Sequence, residues 1–239
     1  MQLSRKIEVN ALAISQIKHY HKKVKKLTYK MILENPEIRA HYEAIEDVQG
    51  HMAYHGWKHV NNTVENAKKL LPILNLDNEM QNAVLLALAL HDIGKDFDEA
   101  GDKEKDHGYE GMLIARKMFE GFDVPHKEEL LQAIKNHSKA SDNTNSLLGA
   151  IVCFCDKLDI TQKRVTPYGI EVGIWYGHVI DLRFEITGDY FIVNFICSKD
   201  FDKENFDADK WVLKMQACTE NLANQLGKEW KFQFEQKEG

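Results

Sequence analysis

The chain has few of the residues from which disulfide-rich and membrane-spanning proteins are built. Its 239 residues include four cysteines and four prolines. Cys153 and Cys155 stand two apart on a predicted helix and so point to different faces, and Cys197 and Cys218 follow further along the chain. This spacing predicts buried, reduced thiols rather than a disulfide or zinc–thiolate framework. No apolar run approaches the roughly 20 residues of a membrane helix, and the first residues show no apolar signal core, so we predict a cytoplasmic protein with no membrane partner.

An excess of positive charge is also absent. The formal net charge is −6, which argues against charge-driven binding of nucleic acid. Hydrophobic residues make up 44% of the chain, which is enough for a sizeable core, and this length suits one large domain or one domain with an appendage. The composition therefore predicts a globular protein for which nucleic acid is not an expected partner.

Residues 1–165 show the apolar spacing of helices. Asp77 is suited to cap a helix that begins at Asn78, and Gly94 is expected to end that helix in the left-handed conformation. The pattern predicts a mainly α fold with an all-helical bundle over 1–165. The predicted helices cover residues 3–33, a segment from 35 onward, 55–71, 78–93, 107–120, 126–138 and 144–160.

Residues 175–239 follow a different pattern. Apolar and charged residues alternate strictly over 180–186, which predicts a half-buried strand, and Gly188-Asp189 predicts a hairpin turn. Helical spacing returns over 207–226, and alternation returns from Trp230. We predict a small β-β-α-β unit whose apolar sheet face is covered by its own helix, by the bundle or by a second subunit, which leaves a homodimer as one open alternative.

The dipeptide His91-Asp92 is the most informative feature of the sequence. It ends a helix whose last eight residues, 83–90, are all apolar, and it is followed by Ile93-Gly94-Lys95. Burying an ion without a partner is costly, so these polar groups require an opposite charge, a hydrogen-bond network or a metal. Imidazole and carboxylate are also ligand types that suit Zn, Mn, Fe or Ni.

Other metal-binding residue types stand on or at the ends of further predicted helices: His59, His107, His137 and Asp156. The order His, His-Asp, His, His, Asp resembles the HD superfamily of metal-dependent phosphohydrolases, and most closely its small stand-alone bacterial members. The resemblance covers roughly residues 50–160. It implies an HD-type helical bundle and a hydrolase that requires a divalent metal ion.

The resemblance also implies roles for individual residues. The ligands of one ion would be His59, His91, Asp92 and Asp156. His107 and His137 would complete a second metal site that Asp92 bridges, or would donate hydrogen bonds to phosphate. Lys95 would neutralise a phosphoryl oxygen, and Asp96 would act as general acid or position the attacking water. The sequence does not distinguish Mn, Fe, Zn, Ni, Co or Mg, nor one ion from two.

Three functions remain open at this stage. The leading hypothesis is hydrolysis of a small phosphorylated substrate, a phosphomonoester or phosphodiester such as a nucleotide, by a metal-activated water. The second is a di-iron oxygenase, because some HD-superfamily members use the same six ligands for oxygen chemistry. The third is a non-catalytic HD scaffold that binds a partner. Two further predictions concern access to the site: His55 lines its mouth, and the charged segment 96–106 forms a lid.

Overall fold

The computed structural model describes residues 25–49, 52–95, 106–139 and 146–237. Most of the helix predicted over 3–33 and most of the lid predicted over 96–106 lie outside these residues, and so does Asp96. Within the described residues the predicted mainly α fold is confirmed. The helices of its first part are α1 (Tyr29–Leu33), α2 (Pro36–Gln49), α3 (Trp57–Leu70), α4 (Asn78–Leu90), α5 (His107–Met118), α6 (Lys127–Asn136), α7 (Leu147–Lys157) and α8 (Pro167–Glu171).

The start of the described chain differs from the predicted helix over 3–33. Lys25–Lys26 forms a short strand, β1, that pairs in parallel with β2, Phe122–Asp123. Helix α1 begins only at Tyr29. The prediction was wrong here because the backbone hydrogen bonds of this segment run to a part of the chain far away in sequence, and apolar spacing carries no information about such a partner.

Helix α4 lies at the centre of the bundle. Residues 83–90 are buried on every side, and the helix packs against α1, α3, α6 and α7. Its start is capped as predicted, because Asp77 Oδ1 accepts a hydrogen bond from Met80 N over 2.8 Å. The last turn of α4 therefore delivers His91 and Asp92 into the interior of the bundle.

Gly94 does not form the predicted left-handed stop, since its φ is not positive. A Cβ atom at this position would lie 2.3 Å from His107 O and 2.5 Å from Gly111 N, so no side chain fits. Glycine is needed here for close contact rather than for its freedom of φ. This contact brings the end of α4 against the first turns of α5.

The C-terminal part follows the predicted β-β-α-β order, except that two consecutive helices rather than one stand between its second and third strands. A three-stranded sheet has the order β3-β4-β5, with β3 and β4 antiparallel and β4 and β5 parallel. The hairpin turn occurs at Gly188, which has a φ of 59°. The elements are β3 (Val179–Thr187), β4 (Tyr190–Cys197), α9 (Lys203–Ala208), α10 (Lys210–Gln225) and β5 (Glu229–Gln236).

The apolar face of this sheet is covered within the same chain. Phe154 of α7 packs against Phe184 and Phe191, with ring centroids 5.3 and 5.4 Å apart. Helix α10 packs against α7 as well. The buried apolar side chains form one continuous core across the predicted boundary between 1–165 and 175–239, so the sheet needs no second subunit to cover it. None of the described helices is both long enough and apolar enough to cross a membrane.

Candidate metal centre

The structure brings all six predicted ligands into one cluster, and each lies near a helix end. His59 lies in the first turn of α3, and His107 is the first residue of α5. His91 and His137 directly follow the last residues of α4 and α6, and Asp156 lies in the last turn of α7. Asp92 follows His91. Since backbones turn at helix ends, side chains from five helices can converge on one point.

The first group of side chains is almost completely withdrawn from water. His59 Nε2 lies 3.2 Å from His91 Nε2, 3.2 Å from Asp156 Oδ1 and 3.4 Å from Asp92 Oδ2. His91 Nε2 lies 3.3 Å from Asp92 Oδ2. No member of the group is more than 5% exposed. Two imidazoles and two carboxylates therefore surround one small volume.

The hydrogen bonds of the two imidazoles fix their tautomers. His91 Nδ1 lies 2.7 Å from Leu88 O, and His59 Nδ1 lies 2.7 Å from Asp159 Oδ2. Both oxygens can only accept, so each Nδ1 carries a proton, and each Nε2 presents a lone pair unless the ring takes up a second proton. Burial lowers the pKa of His91, but the charges of Asp92 and Asp156 outweigh it and raise this pKa, so His91 favours a second proton when no metal is bound. Two lone pairs that face each other at 3.2 Å repel unless a cation or a proton lies between them.

A second group lies on the other side of Asp92. His137 Nδ1 donates to Ile134 O over 2.7 Å, so its Nε2 is also a lone-pair donor for a metal. That Nε2 lies 3.1 Å from His107 Nε2 and 3.2 Å from Asp92 Oδ1. His107 Nε2 lies 3.7 Å from the same Oδ1. The two oxygens of Asp92 thus face two different groups, as a bridging carboxylate would.

The donor set fits a divalent ion. Ligands bonded at about 2.0–2.1 Å and set at right angles are roughly 3 Å apart, and the ligand atoms of the two groups are 3.1 to 3.8 Å apart. Asp92 Oδ2 is buried, and its close contacts with the Lys95 ammonium and with the two imidazole nitrogens do not have hydrogen-bond geometry. Among the described residues, two sets could hold an ion, one with His59, His91 and Asp156 and one with His91, Asp92 and His137.

Each buried carboxylate of this region has one basic partner. The lysine ammonium groups lie 2.5 Å from their carboxylates, and the guanidinium Nε lies 3.7 Å from its partner. Charge is therefore balanced before any metal binds, provided that the histidines are neutral. The three pairs are Asp92 with Lys95, Asp156 with Lys157, and Asp159 with Arg164.

Both ligand carboxylates are held in the anionic form. Burial acts to raise the pKa of Asp92, but the positive charges of His91 and Lys95 outweigh it and hold this pKa well below its ordinary value. Burial likewise acts to raise the pKa of Asp156, but the adjacent Lys157 ammonium outweighs it and holds this pKa well below its ordinary value. Anionic oxygens are the form that binds a cation.

The other predicted site residues have different outcomes. Lys95 faces the centre as expected, half-buried and paired with Asp92. His55 is half-buried and lines a cavity whose wall includes none of the six proposed ligands, so its place at the mouth of the site stays a prediction. Asp96 lies outside the described residues, so its role stays a prediction.

Several residues that hold the ligands in place were not identified from sequence. Asp159 orients His59, and Lys157 pairs with Asp156. The signal for these two was present, because Lys157 is a charged residue at the end of the apolar helix α7 and Asp159 follows that helix. Arg164 and Trp211 gave no signal, since their contacts form only in the fold: Trp211 Nε1 donates to Lys157 O over 3.1 Å.

Comparison with known proteins agrees with this geometry. Residues 56–161 match the model of the HD domain, and this segment contains all six predicted ligands. No curated protein matches the chain. The specific likeness to small stand-alone bacterial members stays a prediction. With its matched segment and its cluster of histidines and aspartates, this chain contains an HD domain over residues 56–161.

Proposed function

We propose that this protein hydrolyses a small phosphate ester with a metal-activated water. The observation that carries the proposal is the pair of facing Nε2 lone pairs of His59 and His91, buried between two anionic carboxylates inside an HD domain. Whenever the two rings are neutral, their facing Nε2 atoms are buried acceptors without a donor, and an unmatched buried polar atom is costly. The geometry is explained once a cation occupies the volume between the rings.

In this proposal, His59, His91, Asp92 and Asp156 would hold one ion, and Asp92, His107 and His137 would hold a second. A bound divalent ion would lower the pKa of a water molecule and withdraw charge from a phosphoryl oxygen. The protein supplies the orientation: Asp159 fixes the ring of His59, and backbone carbonyls fix those of His91 and His137.

Charge balance supports a phosphorylated substrate. Three carboxylates and three basic side chains already compensate one another around the centre. Every divalent ion would therefore leave the site with a net positive charge in a region of low dielectric, where an anion such as a phosphoryl group is attracted. A neutral organic substrate would gain nothing from this excess.

Lys95 and Asp96 are the proposed catalytic side chains. The ammonium of Lys95 lies 2.5 Å from Asp92 Oδ2, which is a proposed metal ligand. Once that oxygen coordinates an ion, Lys95 loses a partner and is free to contact a phosphoryl oxygen. Asp96 follows directly in sequence and is proposed to donate a proton to the leaving group or to orient water.

The test combines metal analysis with a substrate screen. Protein treated with chelator is reloaded with Mn, Fe, Zn, Ni, Co or Mg and assayed for phosphate release from a library of phosphorylated metabolites. We expect phosphate release that requires metal and is lost in His91→Ala. His126→Asn is the matched control, because this histidine is exposed and its left-handed backbone (φ 58°) suits asparagine.

Failure of phosphate release with every metal, in protein that stays folded, would overturn the proposal. The oxygenase alternative is tested in the same samples by measuring oxygen consumption and the absorption spectrum. It requires an iron pair that consumes oxygen and changes its spectrum on reduction. The scaffold alternative predicts that neither phosphate release nor oxygen consumption occurs.

A further inference from the structure

A cavity of about 500 Å³ is connected to the metal centre through the side chains of His55 and Arg164, and none of the six proposed ligands lines it. This volume is within the usual range for a small-molecule site. Residues from both parts of the chain form its wall, including four that lie outside the matched HD segment in the C-terminal part. These four are Trp175, Tyr176, Asp209 and Trp211.

The aromatic rings of this wall are held in fixed positions. Trp175 Nε1 donates to Asp209 Oδ2 over 2.7 Å, and its ring packs edge-on against Phe206. Trp211 N donates to Asp209 Oδ1 over 2.8 Å, while its ring nitrogen donates to a backbone carbonyl. Tyr176 packs at right angles to Trp175. Fixed ring faces suit a planar aromatic guest, because little side-chain entropy is lost when one binds.

The buried polar group of the cavity is Arg164, which is 6% exposed. Its Nε donates to Tyr54 O, its Nη1 to Asp159 O and its Nη2 to His55 Nδ1, over 3.3, 2.9 and 3.3 Å. A guanidinium has five N–H donors, so these three bonds leave two N–H groups without a partner among the described residues. Arg164 thus offers hydrogen-bond donors in an otherwise mainly apolar wall.

His55 adds another donor. Because the guanidinium can only donate, His55 Nδ1 accepts, and the proton of the neutral ring is on Nε2. Burial and the charge of Arg164 lower the pKa of His55 to about 3, which keeps the ring neutral. The cavity therefore offers N–H groups, and a guest needs acceptors to match them.

The cavity adjoins the metal centre through shared side chains. Arg164 lines the cavity and lies against Asp159, and Asp159 orients the proposed ligand His59. His55 precedes His59 by four residues and lines the cavity as well. Arg164 and His55 thus connect the cavity wall to the side chains around the centre.

We propose that the cavity binds the alcohol part of the substrate and selects a planar aromatic ring that carries hydrogen-bond acceptors. Ring faces contact Trp175, Tyr176 and Trp211, and the acceptors match the N–H groups of Arg164 and His55. An aliphatic alcohol loses the ring contacts, and a ring without acceptors leaves buried donors unpaired. The link to catalysis rests on the proposed function, whereas binding to the cavity does not.

Binding is tested first, without metal and without turnover. The probe is 4-methylumbelliferone, a planar fluorescent alcohol with a carbonyl acceptor, added to chelator-treated protein and followed by fluorescence anisotropy. We expect saturable binding that is about tenfold tighter than that of 2-naphthol, a planar alcohol without the carbonyl, because each unmatched buried donor costs on the order of one hydrogen bond.

Two variants locate the binding. Ile174→Trp places a larger side chain in the cavity wall, and Tyr176→Ala removes a ring face. We expect each to weaken probe binding by about tenfold or more, with an unchanged circular dichroism spectrum. The control is Leu213→Ala, which removes an apolar side chain that is 66% exposed and lies outside the cavity. Equal binding in wild type, Ile174→Trp and Tyr176→Ala, or equal loss in Leu213→Ala, would overturn the proposal.

Kinetics test the link to catalysis. We compare kcat/KM for 4-methylumbelliferyl phosphate and for glycerol 2-phosphate, in wild type and in Ile174→Trp. The proposal requires that the variant lowers kcat/KM for the aryl ester by about tenfold and changes that for the alkyl ester by less than about twofold. Equal effects on both esters would overturn it. If no phosphate ester of the library is hydrolysed with any metal but the probe binds in the cavity, the proposed function fails while the binding site stands.

Discussion

The two imidazole pairs of the centre differ in how far each is withdrawn from water. His59 and His91 are 1% and 0% exposed, whereas the side chain of His107, the partner of His137, is 18% exposed. The first pair faces oxygens of both Asp92 and Asp156, but the second faces only one oxygen of Asp92. The first pair thus has more anionic ligands and less contact with solvent.

This difference predicts two metal sites of unequal strength. Affinity for a cation rises with the number of anionic ligands and with the rigidity of their support, and the first pair has the advantage in both. The more open second pair leaves room for water and substrate. We therefore expect a tight ion between His59 and His91 and a weaker, exchangeable ion between His107 and His137.

Replacing Asp92, the ligand that both groups share, has the largest expected effect, because it removes one oxygen ligand from each of the two metal sites. Asp92→Ala deletes both oxygens and leaves the Lys95 ammonium without its carboxylate. We expect loss of both metal equivalents in elemental analysis. We also expect loss of the thermal stabilisation by metal, which is about 2.7 kcal/mol at a metal concentration roughly a hundredfold above Kd. Asp207→Ala, at an exposed ion pair, serves as the control. Unchanged metal content in Asp92→Ala would contradict the account.

The next largest effect on metal binding is expected from replacing His91, a ligand of the first pair alone. His91→Ala removes a fully buried ligand while Asp92, His107 and His137 remain. We expect the tight site to weaken by more than about 100-fold, the upper end of what loss of an orienting partner costs, and the weaker site to persist. Competition with a metal-sensitive dye measures both constants. Equal weakening of both sites would show that the pairs do not form separate sites.

A smaller effect on metal affinity is expected from Asp159, which contacts His59 of the first pair but is not a proposed ligand. Asp159→Asn keeps the size of the side chain but removes the charge that orients the ring of His59. Loss of such a partner lowers metal affinity by about 10- to 100-fold, and we expect this at the tight site only. The same dye competition measures it, with circular dichroism as the check on folding. No change at the tight site would show that Asp159 serves Arg164 alone.

The smallest effect on total metal is expected from His107→Ala. This residue is partly exposed and contributes only to the second group, so we expect loss of the weaker equivalent with little change in Tm. Elemental analysis at low and high free metal separates the two equivalents. If His107→Ala retains two full equivalents of metal but loses activity, His107 contacts the substrate instead of a metal ion.

Local patterns predicted much of the fold and most of the site. An apolar helix that ends in His91-Asp92 is unusual because its polar groups need partners, and this requirement is visible in sequence. The alternating strands and Gly188 likewise predicted the sheet and its turn. The contribution of the C-terminal part to the cavity was not predictable, since Trp211 meets Lys157 only through packing of α10 on α7. The pairing of Lys25–Lys26 with Phe122–Asp123 was missed for the same reason.

The central claim is that a divalent ion lies between the facing nitrogens of His59 and His91. The most direct measurement is calorimetric titration of Mn²⁺ or Zn²⁺ into chelator-treated wild-type protein, with elemental analysis of the dialysed product. The account predicts two equivalents, the first tighter than the second, and only the weaker one missing in His107→Ala. A folded protein that binds neither ion would contradict it.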